Sequence, residues 1–117
     1  MDLNSAVNAH VEWKTKLRSA ISTQSQFDAS AVSKDNVCPL GQWLHGEAKL
    51  KYSKLAAYTE CVGAHAAFHR EAGKIAGLIN QKNYVAAEAA LDSSTAYGRA
   101  SSAAVVAISK LKKEAAL

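Results

Sequence analysis

Four side chains in this sequence have the chemistry to hold a metal together: His10, Cys38, His65 and His69. His65 and His69 stand four apart, in His65-Ala66-Ala67-Phe68-His69. On a helix that spacing projects both rings from one face. His10 belongs to an earlier helical stretch, and Cys38 precedes Pro39 at the head of another. Three imidazoles and one thiolate form a complete tetrahedral set, and soft sulfur with borderline nitrogen points first to zinc. Four protein ligands leave no open coordination position, so hydrolytic chemistry is not expected. The chain reads as a metal-binding module, not as an enzyme.

Each residue alone has an ordinary explanation. A histidine pair at this spacing is often core or surface, and a cysteine is often a small buried apolar residue. Three of the four histidines fall on apolar helical seams, however, where an unpaired imidazole is costly. Coordination removes that cost for all three at once. Cys38 at a helix start should feel the free backbone N–H groups and the positive dipole end, which lower a thiol's pKa. Cys61 is the competing sulfur, because it precedes His65 by four. Ligands at 61, 65 and 69 would spread about 12 Å along one helix axis. That is too far for one metal with bonds of about 2 Å. Cys61 is therefore expected to be a packed core or partly exposed thiol. His45 is expected at the surface, with a hydrogen bond near the site as the other reading. A di-iron site would need Glu-x-x-His spacing, and no Glu stands three residues before a histidine.

The elements that must position these groups are helical. A seam of Leu3, Val7, His10, Trp13 (or Lys14), Leu17 and Ile21 predicts a first helix from Leu3 to Ser22. Asn4 or Ser5 would cap it. Residues 23–37 are rich in Ser, Gln, Asp and Asn and read as a loop, with Phe27 anchored on the core. A short helix follows from Pro39 to Leu44, with Cys38 at its cap and Gly46 at its end. A long helix from Glu47 or Ser53 to Gln81 carries the seam Leu55, Tyr58, Val62, His65, His69, Ala72, Ala76 and Ile79. After a break at Gln81-Lys82-Asn83, a last helix from Tyr84 to Ala116 shows a small-residue seam: Leu91, Ser94, Gly98, Ser101, Val105 and Ile108. The sum is an all-α fold, an antiparallel four-helix bundle with one short helix carrying the cysteine.

The 117 residues suit one domain, 1–117, and are 49% hydrophobic with a single proline. The net charge of +4 is spread along the chain, with Lys110, Lys112 and Lys113 near a helix C-terminus, where cations are favoured. The basic residues form no stripe with interleaved aromatics, so nucleic acid is not an expected partner. No apolar stretch is long enough to cross a membrane, and the N-terminus lacks the features of a signal peptide. A cytoplasmic location is expected. There, two cysteines are better suited to metal or redox chemistry than to a disulfide.

The pattern His10-x-x-Trp13-Lys14, Cys38-x-Leu40-Gly41-x-Trp43-Leu44 and His65-x-x-Phe68-His69 resembles the chemoreceptor zinc-binding domain of bacteria. The motif spans His10 to His69, about half of the chain. The resemblance implies a four-helix bundle holding one zinc through His10, Cys38, His65 and His69. It implies attachment to, or action on, a chemotaxis receptor or a diguanylate cyclase, in cis or in trans, and commonly a homodimer. It further implies that zinc occupancy or oxidation of the zinc-bound cysteine, for example by hypochlorous acid, modulates the output. The chain carries no recognisable output domain. It reads either as an excised domain or as a stand-alone member, and the Met1 start fits both.

Overall fold

Asp2 starts the first helix. Its carboxylate accepts from the backbone N–H groups of Asn4 (3.0 Å) and Ser5 (3.2 Å), which satisfies two of the free donors at a helix start. The cap is thus Asp2 and not Asn4 or Ser5. In a computed structural model that describes all residues, Met1–Leu117, helix α1 runs Leu3–Thr23 and ends on Gln24 in the left-handed region (φ 55°). It is followed by α2 (Ala29–Ser33), α3 (Pro39–His45), α4 (Glu47–Tyr52), α5 (Ala56–Asn80), α6 (Tyr84–Ala90) and α7 (Ala96–Glu114). The fold is all-α.

Two departures from the sequence expectation, at 23–37 and at Asp92–Thr95, share one cause, which is polar side chains competing for backbone groups. The expected loop at 23–37 contains α2, capped by Asp28 through a bond from the Ala31 N–H (3.1 Å). Of the two expected starts of the long helix, Glu47 and Ser53, the later one is nearer: α5 begins at Ala56, and Glu47–Tyr52 is a separate helix, α4. The expected last helix breaks at Asp92–Thr95. There Asp92 accepts from the Ser94 N–H (2.9 Å), and Thr95 restarts the helix by accepting from the Gly98 N–H (3.3 Å). The face that α7 buries is Tyr97, Gly98, Ala104, Ala107, Ile108 and Leu111. Ser94 from the expected seam is exposed, and Ser101 and Val105 are half-buried.

Helix α5 is the hub, packing against all six other helices. Its buried positions recur at helical spacing, from Ala57 and Tyr58 through Cys61, His65, Phe68, His69 and Ala72 to Ile79. The apolar side chains form two separate clusters. One gathers Leu3, Ala6, Leu40, Leu44, Cys61, Ile108 and Leu111. The other gathers Leu17, Val32, Phe68, Ala72, Ile75, Leu91 and Tyr97. On α1, His10 stands between Ala6 of the first and Leu17 of the second. On α5, His65 lies between Cys61 and Phe68. The histidines thus form a polar layer across the bundle, between two apolar halves.

Candidate metal centre

Backbone carbonyls orient two of the histidines, and a helix cap presents the cysteine. His10 is buried on α1, and its Nδ1 lies 2.7 Å from the Ala6 carbonyl one turn back. Nδ1–H donates to that oxygen, which leaves the Nε2 lone pair free. His10 Nε2 is buried with no hydrogen-bond partner. His69 uses the same logic across elements. Its Nδ1–H donates to the Val32 carbonyl at the end of α2 (3.0 Å), so Nε2 again faces the layer. Such a bond on the far ring nitrogen is how proteins aim a metal-binding imidazole. His65 is fully buried, and its Nδ1 has no hydrogen-bond partner.

Cys38 is the cap of α3, with Pro39 at the first helical position. Its Sγ accepts from the Gly41 N–H at 3.3 Å. Gly41 is required there: a Cβ at this position would overlap the Asp35 carbonyl oxygen of the preceding turn. Trp43 stacks on Tyr52 (6.1 Å between rings), and the Tyr58 hydroxyl donates to the Leu44 carbonyl at 2.7 Å. These contacts moor α3 to α4 and α5. Trp13 packs on Phe27 at 6.1 Å, and Asn80 exchanges two hydrogen bonds with the Phe27 backbone. Phe27 is thus the anchor expected of it, and it brings the chain back onto α5 before α2 begins.

The four groups converge. His65 Nε2 lies 3.0 Å from His69 Nε2 and 3.2 Å from Cys38 Sγ, and His69 Nε2 lies 3.6 Å from the same sulfur. One donor atom from each of His10, Cys38, His65 and His69 falls within 4.8 Å of all the others. Tetrahedral zinc with its usual bond lengths separates its ligand atoms by about 3.3–3.8 Å, so the donor set fits that ion. The orphaned Nε2 of His10 is a lone pair waiting for a Lewis acid.

The electrostatics agree. Burial holds the pKa of His10, His65 and His69 below the ordinary imidazole value. For His65 burial and then the neighbouring His69 and His10 push it down to about 3. All three rings are neutral at pH 7, as coordination demands. Cys38 departs from the expected lowering. Burial pushes its thiol up, and the N–H groups of Gly41 and Leu40 pull it back only in part. A coordinated cation reverses that direction, because it deprotonates the thiol outright.

Cys61 is 1% exposed and packed in the first apolar cluster, outside the converging set. His45 is exposed, as expected, and its Nε2 sits 2.9 Å from the Asp35 carboxylate. That pair joins the turn before Cys38 to the last residue of α3. Phe68 escaped the sequence reading of the seam. It is fully buried, edge-on to His10 at 5.2 Å, and forms one wall of the layer. Its place three residues after His65 was the available signal. Two mainly apolar cavities, of about 330 and 200 Å³, border both Trp13 and Cys38. Cys38 is the one member of the set that is only half-buried.

No helix is long and apolar enough to cross a membrane. Searches of curated proteins and of solved structures gave no match. A family model described as the chemoreceptor zinc-binding domain matches residues 10–76, more than half of the chain and all four donors. The chain belongs to the chemoreceptor zinc-binding domain family.

Proposed function

We propose that His10, Cys38, His65 and His69 hold one zinc ion, and that this single domain, 1–117, is a regulatory module of bacterial signalling in the cytoplasm. The observation that carries the reading is the convergence of four donor atoms with the buried, unpartnered Nε2 of His10 among them. Zinc, when bound, supplies a cationic cross-link among α1, α3 and α5. The three imidazoles are its fixed side, buried and aimed by the Ala6 and Val32 carbonyls. Cys38 is its labile side, reached through the cavities beside Trp13.

The signal is zinc occupancy or oxidation of Cys38. Attack of the thiolate on hypochlorous acid transfers two electrons from sulfur to chlorine. It yields a sulfenic acid and chloride, and weakens the sulfur as a donor. The segment from Phe27 to Leu44 is the element released. The output is a chemoreceptor or a diguanylate cyclase, in cis or in trans, with the module acting as a homodimer.

Metal content per chain, on protein never exposed to nickel resin, tests the reading for wild type and Cys38→Ala together. About one zinc per wild-type chain, chelated far faster from the variant, supports it. No zinc after reconstitution refutes it.

A second reading has its own support. The histidines lie between two apolar clusters, where a permanent structural ion would also serve. A constitutive zinc module for dimerisation or docking would neither exchange its ion nor react at Cys38.

A further inference from the structure

A polar cleft of about 350 Å³ opens where the chain crosses from α2 to α3 over the outer side of α5, lined by Ser33, Lys34, Asp35, Asn36, Ala66 and Arg70. We propose that this cleft binds a small oxyanion between Arg70, Lys34 and the Asn36 amide, and that its occupancy tightens zinc binding; the coupling rests on the zinc reading above.

The first argument is the state of the cations. The chain has three arginines. Arg18 pairs with Glu88 at 3.1 Å, and Arg99 donates to the Ser94 carbonyl at 3.3 Å. Arg70 has neither an ion pair nor a hydrogen bond, and the adjacent Glu71 pairs instead with Lys74 (3.0 Å). Nothing pairs with the Lys34 ammonium or the Asn36 side chain either. Asp35, the one carboxylate lining the cleft, is engaged by His45 at 2.9 Å and makes no ion pair with either cation. The Ser33 hydroxyl donates to the Ser30 carbonyl, so it adds no donor. A guanidinium fork, an ammonium and an amide NH₂ around one cleft are the donors that an oxyanion with several oxygens shares.

The second argument is position. Ser33–Asn36 lies between Val32, whose carbonyl receives His69 Nδ1–H, and Cys38. Ala66 and Arg70 directly follow His65 and His69 on α5. Helix α2 is already pressed onto α5, since a Cβ on Gly73 would collide with Ser33. An oxyanion held by Lys34, Asn36 and Arg70 would clip the same loop to the same helix from outside. Two ligands that each hold one arrangement must strengthen each other's binding by the same factor.

Sulfate is the probe, with chloride at equal ionic strength as control, on the full zinc-loaded chain. Sulfate should slow zinc transfer to a chelator saturably, by about fivefold or more. Arg70→Gln and Lys34→Gln should each abolish that effect while keeping wild-type zinc content and the chloride rate. Equal rates in the two salts, or an effect that persists in Arg70→Gln, would overturn the coupling. Amide shifts of Lys34–Asn36 in the metal-free chain judge the cleft independently of zinc. Saturable shifts with sulfate that vanish in Arg70→Gln support it even if the chain takes up no metal. Shifts that chloride reproduces reduce it to general screening and refute it.

Discussion

The Nδ1–H of His69 donates to the carbonyl of Val32 across 3.0 Å, and this one bond orients an imidazole of the donor cluster from a helix of five residues. His65, one turn away on the same helix, has no such support for its Nδ1. The two histidines are thus equivalent as nitrogen donors and unequal as parts of the fold.

That inequality separates two substitutions. His65→Leu and His69→Leu should both lose zinc, by more than the roughly 10–100-fold that loss of an outer hydrogen-bond partner costs. In the metal-free protein His69→Leu should be the less stable of the two, by about 1–3 kcal/mol, because it strands the buried Val32 carbonyl. Urea melts of both variants in excess chelator check the difference. Equal midpoints would contradict the assigned role of Val32.

The metal-free fold should weaken in mild acid. Burial lowers the pKa of all three layer histidines, to about 3 for His65. The unfolded chain therefore binds more protons than the native one below its imidazole pKa, near 6.5. Stability is fully present above pH 6.5 and is lost as pH falls from there toward the lowered folded values. Melting temperatures across pH 7.5 to 4.5 should fall most steeply below 6.5. Zinc affinity should fall over the same range, since proton and metal compete for Nε2. A flat profile would mean that these rings are not buried.

Gly41→Ala should displace the turn that presents Cys38, because its Cβ would overlap the Asp35 carbonyl. Overpacking of this kind costs about 1–3 kcal/mol. The sharper readout is thiol alkylation in the zinc-loaded protein, which should be faster in the variant while Cys61 stays unmodified. Unchanged alkylation and zinc retention would show that the turn adapts.

The two thiols should differ in kind. Cys61 is 1% exposed, and burial pushes its pKa up to about 11. A mild alkylating agent should label only Cys38 in the folded metal-free chain, and Cys61 should react only on unfolding. Mass mapping after brief exposure decides it. Early labelling of Cys61 would point to opening of the first apolar cluster.

The candidate site was more legible in the sequence than the fold around it. His10, His65 and His69 sit at seam positions that helical periodicity exposes, and Pro39 marks Cys38 as a cap; both signals are local and strong. The breaks at Ser53–Leu55 and Asp92–Thr95 were harder to see. Apolar periodicity continues on both sides of each, and at the second only Asp92 and Thr95 bonding to nearby backbone decides that the helix stops. Helix α2 was hidden in the same way, inside a polar stretch whose one deeply buried residue is Val32. The raised Cys38 pKa depends on tertiary burial, which no reading of the cap alone contains.

The polar layer between the two apolar clusters also fixes the axial position of α1. A slide of α1 along α5 by one turn, about 5.4 Å, would replace His10 with Ala6, Val7, Trp13 or Lys14. None of the first three offers a metal-binding donor, and a Lys14 ammonium would set a second positive charge against the ion. Greasy helix faces tolerate slippage; this layer does not. With an ion held by the four donors, the layer would act as a detent on the axial slide of α1.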